Sequence, residues 1–188
     1  MVLAAAAMLA MAGFTQPCAG AASAQTPTQR ATQSPAQSPM QGPSAPAWVT
    51  GRGAQGQTIR VSQARALPAR GAVVRIVGKG FDETVGVYVG LCRIVPRGKV
   101  PTPCGGGADM TGTTQASVWV SSNPPPYGIG LAVPFGIDGK FDVRVKVGPK
   151  IGKYDCRKIT CAITVRADHT NTEFRGADVF VPVTFTKR

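Results

Sequence analysis

Few residues in this chain carry side chains suited to covalent, metal or proton chemistry. Among 188 residues there are five cysteines, one histidine and nine carboxylates. The histidine, His169, sits in the polar run RADHTNTE. A serine or cysteine nucleophile would need it as base, held by a carboxylate, and adjacent Asp168 does not obviously face it. His169 therefore reads as a hydrated turn residue. One imidazole and dispersed carboxylates give no metal-ligand spacing. Gly105-Gly106-Gly107 is followed by neither Lys-Ser/Thr nor a helix, so it is a flexible loop and no phosphate cradle. Asp138, Asp142 and Asp155 could approach as paired acids, but nothing in their spacing favours it. The expectation is a protein without catalytic residues, metal or cofactor.

The cysteines suit disulfide chemistry. Residues 1–24 read as a secretory signal: an apolar run too short for a membrane span, then Ala22-Ser23-Ala24 as the cleavage site. No Lys or Arg precedes the apolar run, so the true start lies upstream or the signal is atypical. A lipid anchor at Cys18 is the alternative, although Phe14 to Pro17 lack the small, aliphatic run such a site needs. Cleavage after Ala24 removes Cys18 and leaves Cys92, Cys104, Cys156 and Cys161. An even count in an exported chain implies two disulfides. Sequence order leaves three pairings open, of which local pairing is the simplest. Export places the mature protein outside the cell or at the envelope, with no membrane-spanning segment.

Positioning elements come next. Residues 25–57 are rich in Gln, Thr, Ser, Pro, Ala and Gly, with Trp48 and Val49 the main bulky apolar residues. Too little apolar surface offsets the entropy of ordering, so this span reads as a disordered tether, of a composition that would also suit O-linked sugars. The folded domain is expected over 58–188. Ile59, Val61 and Gln63 alternate with Arg60, Ser62 and Ala64. Further strands read at 72–77, 86–92, 116–120, 141–147, 161–166 and 178–186, with turn signals between them. FDVRVKV, at 141–147, alternates most cleanly and predicts one buried and one wet face. The Asp138-Gly139 turn ahead of it can take positive φ. Ile163 and Val165 should face opposite to Ala162, Thr164 and Arg166. Pro182 confines the last strand to an edge or bulge. The reading is an all-β, seven-stranded antiparallel sandwich of immunoglobulin-like size.

Three stretches then carry a family likeness: Tyr88-Val89-Gly90-Leu91-Cys92 followed by Cys104, Asp155-Cys156 with Cys161 five positions on, and the final strand 178–185. Ala108-Asp109-Met110 adds a loop in common. Over about 61–185 the chain resembles the neocarzinostatin family, small secreted apoproteins of actinomycetes that carry enediyne chromophores. The resemblance implies disulfides Cys92–Cys104 and Cys156–Cys161. It also implies a ligand cleft lined by Tyr88, Arg93, Ile94, Met110, Ala162, Thr164 and Arg166. Where the family has a longer aromatic hairpin, this chain has GPKIGKY at 148–154, which argues against the same ligand.

Lys plus Arg number 21 and the formal charge is +12, whereas carriers of that family tend to be acidic. Two functions follow. One is a secreted, non-catalytic protein binding a small molecule or partner in the cleft, probed by Arg166 and Tyr88. The alternative is a basic envelope module holding an anionic polymer electrostatically, through Arg144, Lys146, Arg157, Lys158 and Arg166. Nucleic acid is not expected, for want of aromatics interleaved with the charge, and the chain is expected to be a monomer.

Overall fold

In a computed structural model of the chain, residues 47–106 and 113–187 are described. The signal sequence, Cys18, most of the tether and Met110 lie outside them. Ten strands form among the described residues: β1 (Val49–Arg52), β2 (Thr58–Val61), β3 (Ala72–Lys79), β4 (Val87–Arg93), β5 (Ser117–Val120), β6 (Phe141–Val147), β7 (Lys150–Ile151), β8 (Tyr154–Asp155), β9 (Cys161–Ala167) and β10 (Val179–Val183). They make two antiparallel four-stranded sheets, ordered β1-β2-β3-β6 and β10-β9-β4-β5, and the ribbon β7-β8. No described helix is long and apolar enough to cross a membrane.

The period-2 alternation sets which way each strand faces. From one sheet Ile59, Val61, Val74, Ile76 and Val145 point inward; from the other come Val87, Val89, Ile163, Val165 and Val181. All are at most 1% exposed, and they form one continuous core. These β-branched side chains fit a pleated, close-packed surface. Burying each contributes roughly 1.5–3 kcal/mol. The sandwich is therefore held mainly by two valine- and isoleucine-rich inner faces.

The seven expected strands are β2, β3, β4, β5, β6, β9 and β10. β1 lies inside the 25–57 span assigned to the tether, so the ordered fold begins before Thr58. Its three sheet-favouring residues, Trp48-Val49-Thr50, are too few to show alternation. Gly51 is needed there because a Cβ would sit 2.7 Å from a Val181 methyl of β10. Gln57, polar and part of the same span, is 2% exposed. Its amide donates to the Gly176 carbonyl at 2.6 Å and accepts from the Gln55 N–H at 3.0 Å. A buried amide satisfied at both ends costs little.

Both disulfides, Cys92–Cys104 and Cys156–Cys161, are formed. The first ties the segment around 103–105 against β4, where Arg93 N–H meets the Pro103 carbonyl and Gly105 N–H the Leu91 carbonyl. At the predicted turn, Asp138 (φ 65°) and Gly139 (φ 59°) both take the left-handed region. β10 is an edge strand, as Pro182 requires.

The chain touches its own sheet edges at several points. Gly51 of β1 lies against β10; Lys146 N–H of β6 donates to the Gln115 carbonyl; Val133 bonds along β5 through Trp119 O and Ser121 N. Past β10, Thr184 exchanges bonds with Ala64 and Leu67.

Candidate ligand-binding face

The register of the second sheet lines up its outward residues in rows. Trp119, Tyr88 and Arg166 form one row across β5, β4 and β9. Ser117, Gly90, Thr164 and Phe180 form the next, extending onto β10. Cys92, Ala162 and Pro182 form a third. The middle of this face is thus built from small residues, with long ones around it.

The first row is locked by a polar and aromatic cluster. Asp168, 1% exposed, accepts the Trp119 indole N–H at 2.8 Å on one oxygen. Its other oxygen accepts the Thr170 N–H at 2.8 Å and hydroxyl at 2.6 Å. Gly86 makes room for it: a Cβ there would fall 2.0 Å from Asp168 Oδ2. His169 follows, held between two phenols. Tyr88 Oη lies 2.5 Å from Nδ1 and Tyr127 Oη 2.5 Å from Nε2. In the neutral ring one nitrogen carries hydrogen and the other does not, so one tyrosine donates and the other accepts. Burial, reinforced by the Asp168 charge, pushes the Tyr88 phenol up to about 12, so it stays protonated. Trp119 meets the His169 ring edge-on at 5.1 Å. The cluster holds a base but no nucleophile, and Asp168 is turned to Trp119 and Thr170, so it is not a catalytic triad.

Arg166 lies half-buried with its guanidinium 5.5 Å from the Tyr88 ring centre. Its Nε is buried without a hydrogen-bond partner, the one such side-chain atom among the described residues. Desolvation and the neighbouring Arg175 lower its pKa. A groove of about 630 Å³ opens next to Arg175 and Asp178, whose charges act on Arg166; Arg166 itself does not line it. Ile94, Pro96, Arg97 and Lys99 line one side, and Asp178 and Phe180 the other. Arg175 Nη1 donates to both Asp178 oxygens, at 3.0 and 2.9 Å. Burial nevertheless pushes the Asp178 carboxyl up to about 6, against the pull of Arg175 and Arg166.

The structure separates the expected cleft residues. Tyr88, Ala162, Thr164 and Arg166 share this outer face, but Ala162 is fully buried and Thr164 1% exposed, so neither is an open cleft wall. Short side chains lie below the level of Tyr88, Trp119, Arg166 and Phe180. The Thr164 hydroxyl is satisfied by the Ala162 carbonyl at 3.2 Å. Ile94 lines the groove. Arg93 does not; its guanidinium sits 4.8 Å over the Tyr154 ring and donates to the Thr102 carbonyl at 3.3 Å. His169 is no simple hydrated turn residue, being bonded at both nitrogens.

The expected cationic surface also divides. Arg144 and Lys146 point outward from β6, while Arg166 points outward from the other sheet. Arg157 is engaged locally with Asp155 at 2.8 Å. Sequence reasoning missed Trp119, Tyr127 and Phe180, whose signal was the placement of lone large rings at outward positions beside small residues.

No protein-family model matches the chain, and neither does any curated protein. Among solved structures, the chain is similar to macromomycin at 18% identity, over 70% of this chain and 100% of macromomycin, with a TM-score of 0.45.

Proposed function

We propose that this chain is a non-catalytic, extracytoplasmic binding protein for a small amphipathic anion, seated in the groove beside Arg166. The observation that carries the reading is the Arg166 guanidinium, held in place by Tyr88 and keeping a buried N–H without an acceptor. A buried donor left unmade costs about 1–3 kcal/mol, which a ligand oxygen recovers when the Arg166 side chain turns towards the groove. Ile94, Pro96 and Phe180 offer apolar contact for the rest of the molecule, and Arg97 and Lys99 add positive charge at the rim. Two disulfides support action in an oxidising compartment. The short β7-β8 ribbon, with Tyr154 its one aromatic residue, argues against an enediyne cargo.

Native mass spectrometry of protein purified from its own culture medium tests this reading. A retained small acid, lost in Arg166→Gln, is the expected result. A bare protein under gentle conditions, or a ligand indifferent to Arg166→Gln, overturns it. The pH dependence has a definite sign. An Asp raised to about 6 is neutral below that pH and negative above it. An anion beside it should bind more tightly as pH falls from 7 to 5. Asp178 also favours the folded state below its unfolded value near 4, and that contribution is lost as pH rises through about 6.

A further inference from the structure

The outer face of the β1-β2-β3-β6 sheet is the most charged surface in the fold. Arg52, Arg60, Arg75, Lys79, Arg144 and Lys146 all point away from the core and are exposed, with Asp142 the one carboxylate among the outward residues of these strands. Arg75 clamps Asp142 through Nε, at 2.8 Å to one oxygen, and through Nη2 to the other. That pair holds the Asp142 carboxyl below its ordinary range. Among the described residues, Arg52, Arg60, Lys79, Arg144 and Lys146 form no ion pair. Arg75 and Arg144 are directly opposite in the register, a like-charge pairing that Asp142, drawn by both, only partly offsets. An anion lying across the face would relieve it.

The same face carries a groove of about 540 Å³ beneath the 133–140 segment. Arg60, Lys79, Lys140 and Asp142 line it over Val77 and Phe141, with Val133 and Pro134 adding apolar wall. Charges two residues apart on a strand are separated by roughly 7 Å, and neighbouring strands by about 4.8 Å, so the cations form a lattice. β3 alone spans eight residues, or roughly 26 Å. That layout matches an extended chain with charge repeated along its length better than a single compact anion.

One aromatic side chain borders the lattice. Trp48 is 38% exposed, and its ring lies 4.9 Å from the Arg60 guanidinium and 6.0 Å from that of Arg75. Already engaged by arginine, it leaves no row of rings on which bases could stack. Val73 on these strands and Val133 and Ile137 on the 133–140 segment are also exposed, but they do not form the apolar face of an amphipathic helix that a membrane wedge uses. We infer that this face binds a linear phosphodiester polyanion without bases, a polymer of polyol or sugar phosphates. It does so independently of the groove beside Arg166, from which it differs in sheet, charge and ligand size.

Calorimetric titration of the full chain with poly(glycerol phosphate) tests the inference, with oligo(dT) and vesicles of anionic phospholipid titrated at equal charge. Binding to poly(glycerol phosphate) should weaken about 100-fold between 50 and 200 mM salt if around five phosphates are contacted. Arg60→Gln/Arg144→Gln/Lys146→Gln should weaken it at least about tenfold at fixed salt. Those residues are exposed, so a melting temperature no lower than that of the unsubstituted chain will show that the fold is intact. Arg166→Gln should leave this binding alone, which keeps the outcome separate from that of the groove. No binding, binding untouched by the triple substitution, or tighter binding of oligo(dT) or vesicles overturns the assignment.

Discussion

On their inner sides the two sheets present much the same surface: Val74, Ile76 and Val145 from one meet Val89, Ile163 and Val165 from the other, all essentially dry. On their outer sides they have little in common. The β10-β9-β4-β5 face is capped by rings, a buried carboxylate and a disulfide-tied segment, and its central residues are sealed. The β1-β2-β3-β6 face is open and cationic, with a groove beneath the 133–140 segment. Because strand side chains alternate, a sheet can keep its core set while its outward set diverges. In this chain the odd and even positions of a strand answer to different demands.

The contrast can be tested by substituting outward residues on each side. The largest effect should come from Cys92→Ala/Cys104→Ala on the capped face. Opening a loop with that sequence separation of 12 should cost about 3 kcal/mol. Urea unfolding under non-reducing conditions reads the change in midpoint. Next comes Trp119→Phe, which keeps a ring but removes the indole N–H from buried Asp168. A carboxylate deprived of one donor should cost about 1–3 kcal/mol, seen as a lower melting temperature. A cost near zero would mean that water reaches Asp168 and the cap is looser than drawn. Smallest, and opposite in sign, is Arg144→Gln on the open face. Removing one of two opposed cations should stabilise by a few tenths of a kcal/mol, and more at low salt. Destabilisation there would indicate that Arg144 packs for structure.

How much of this could be read from the sequence depended on the range of the interaction concerned. β6 was legible because Phe141, Val143, Val145 and Val147 alternate with charges over seven residues, and both sides of that pattern are local. β1 was hidden because its strand character depends on Gly51 fitting beneath Val181, a contact made across the fold. The disulfides followed from family resemblance, since cysteine order alone left three pairings. The cage around His169 was invisible: it joins Tyr88, Trp119 and Tyr127 to the turn at 168–170, and no local period links them. The sequence also pooled Arg144, Lys146 and Arg166 as one basic set. Their separation onto opposite outer faces follows from which strands enter which sheet, information that charge counting does not contain.

The occupied sheet edges bear on how this protein meets other molecules. Exposed strand edges are templates on which a second chain can add a strand, the first step towards fibres and domain-swapped pairs. Here Pro182 interrupts the β10 edge, Val133 bonds twice along β5, and the Gln115 carbonyl takes one N–H of β6. Strand addition is therefore hindered at the β10 edge by Pro182 and along β5 by the 133 segment.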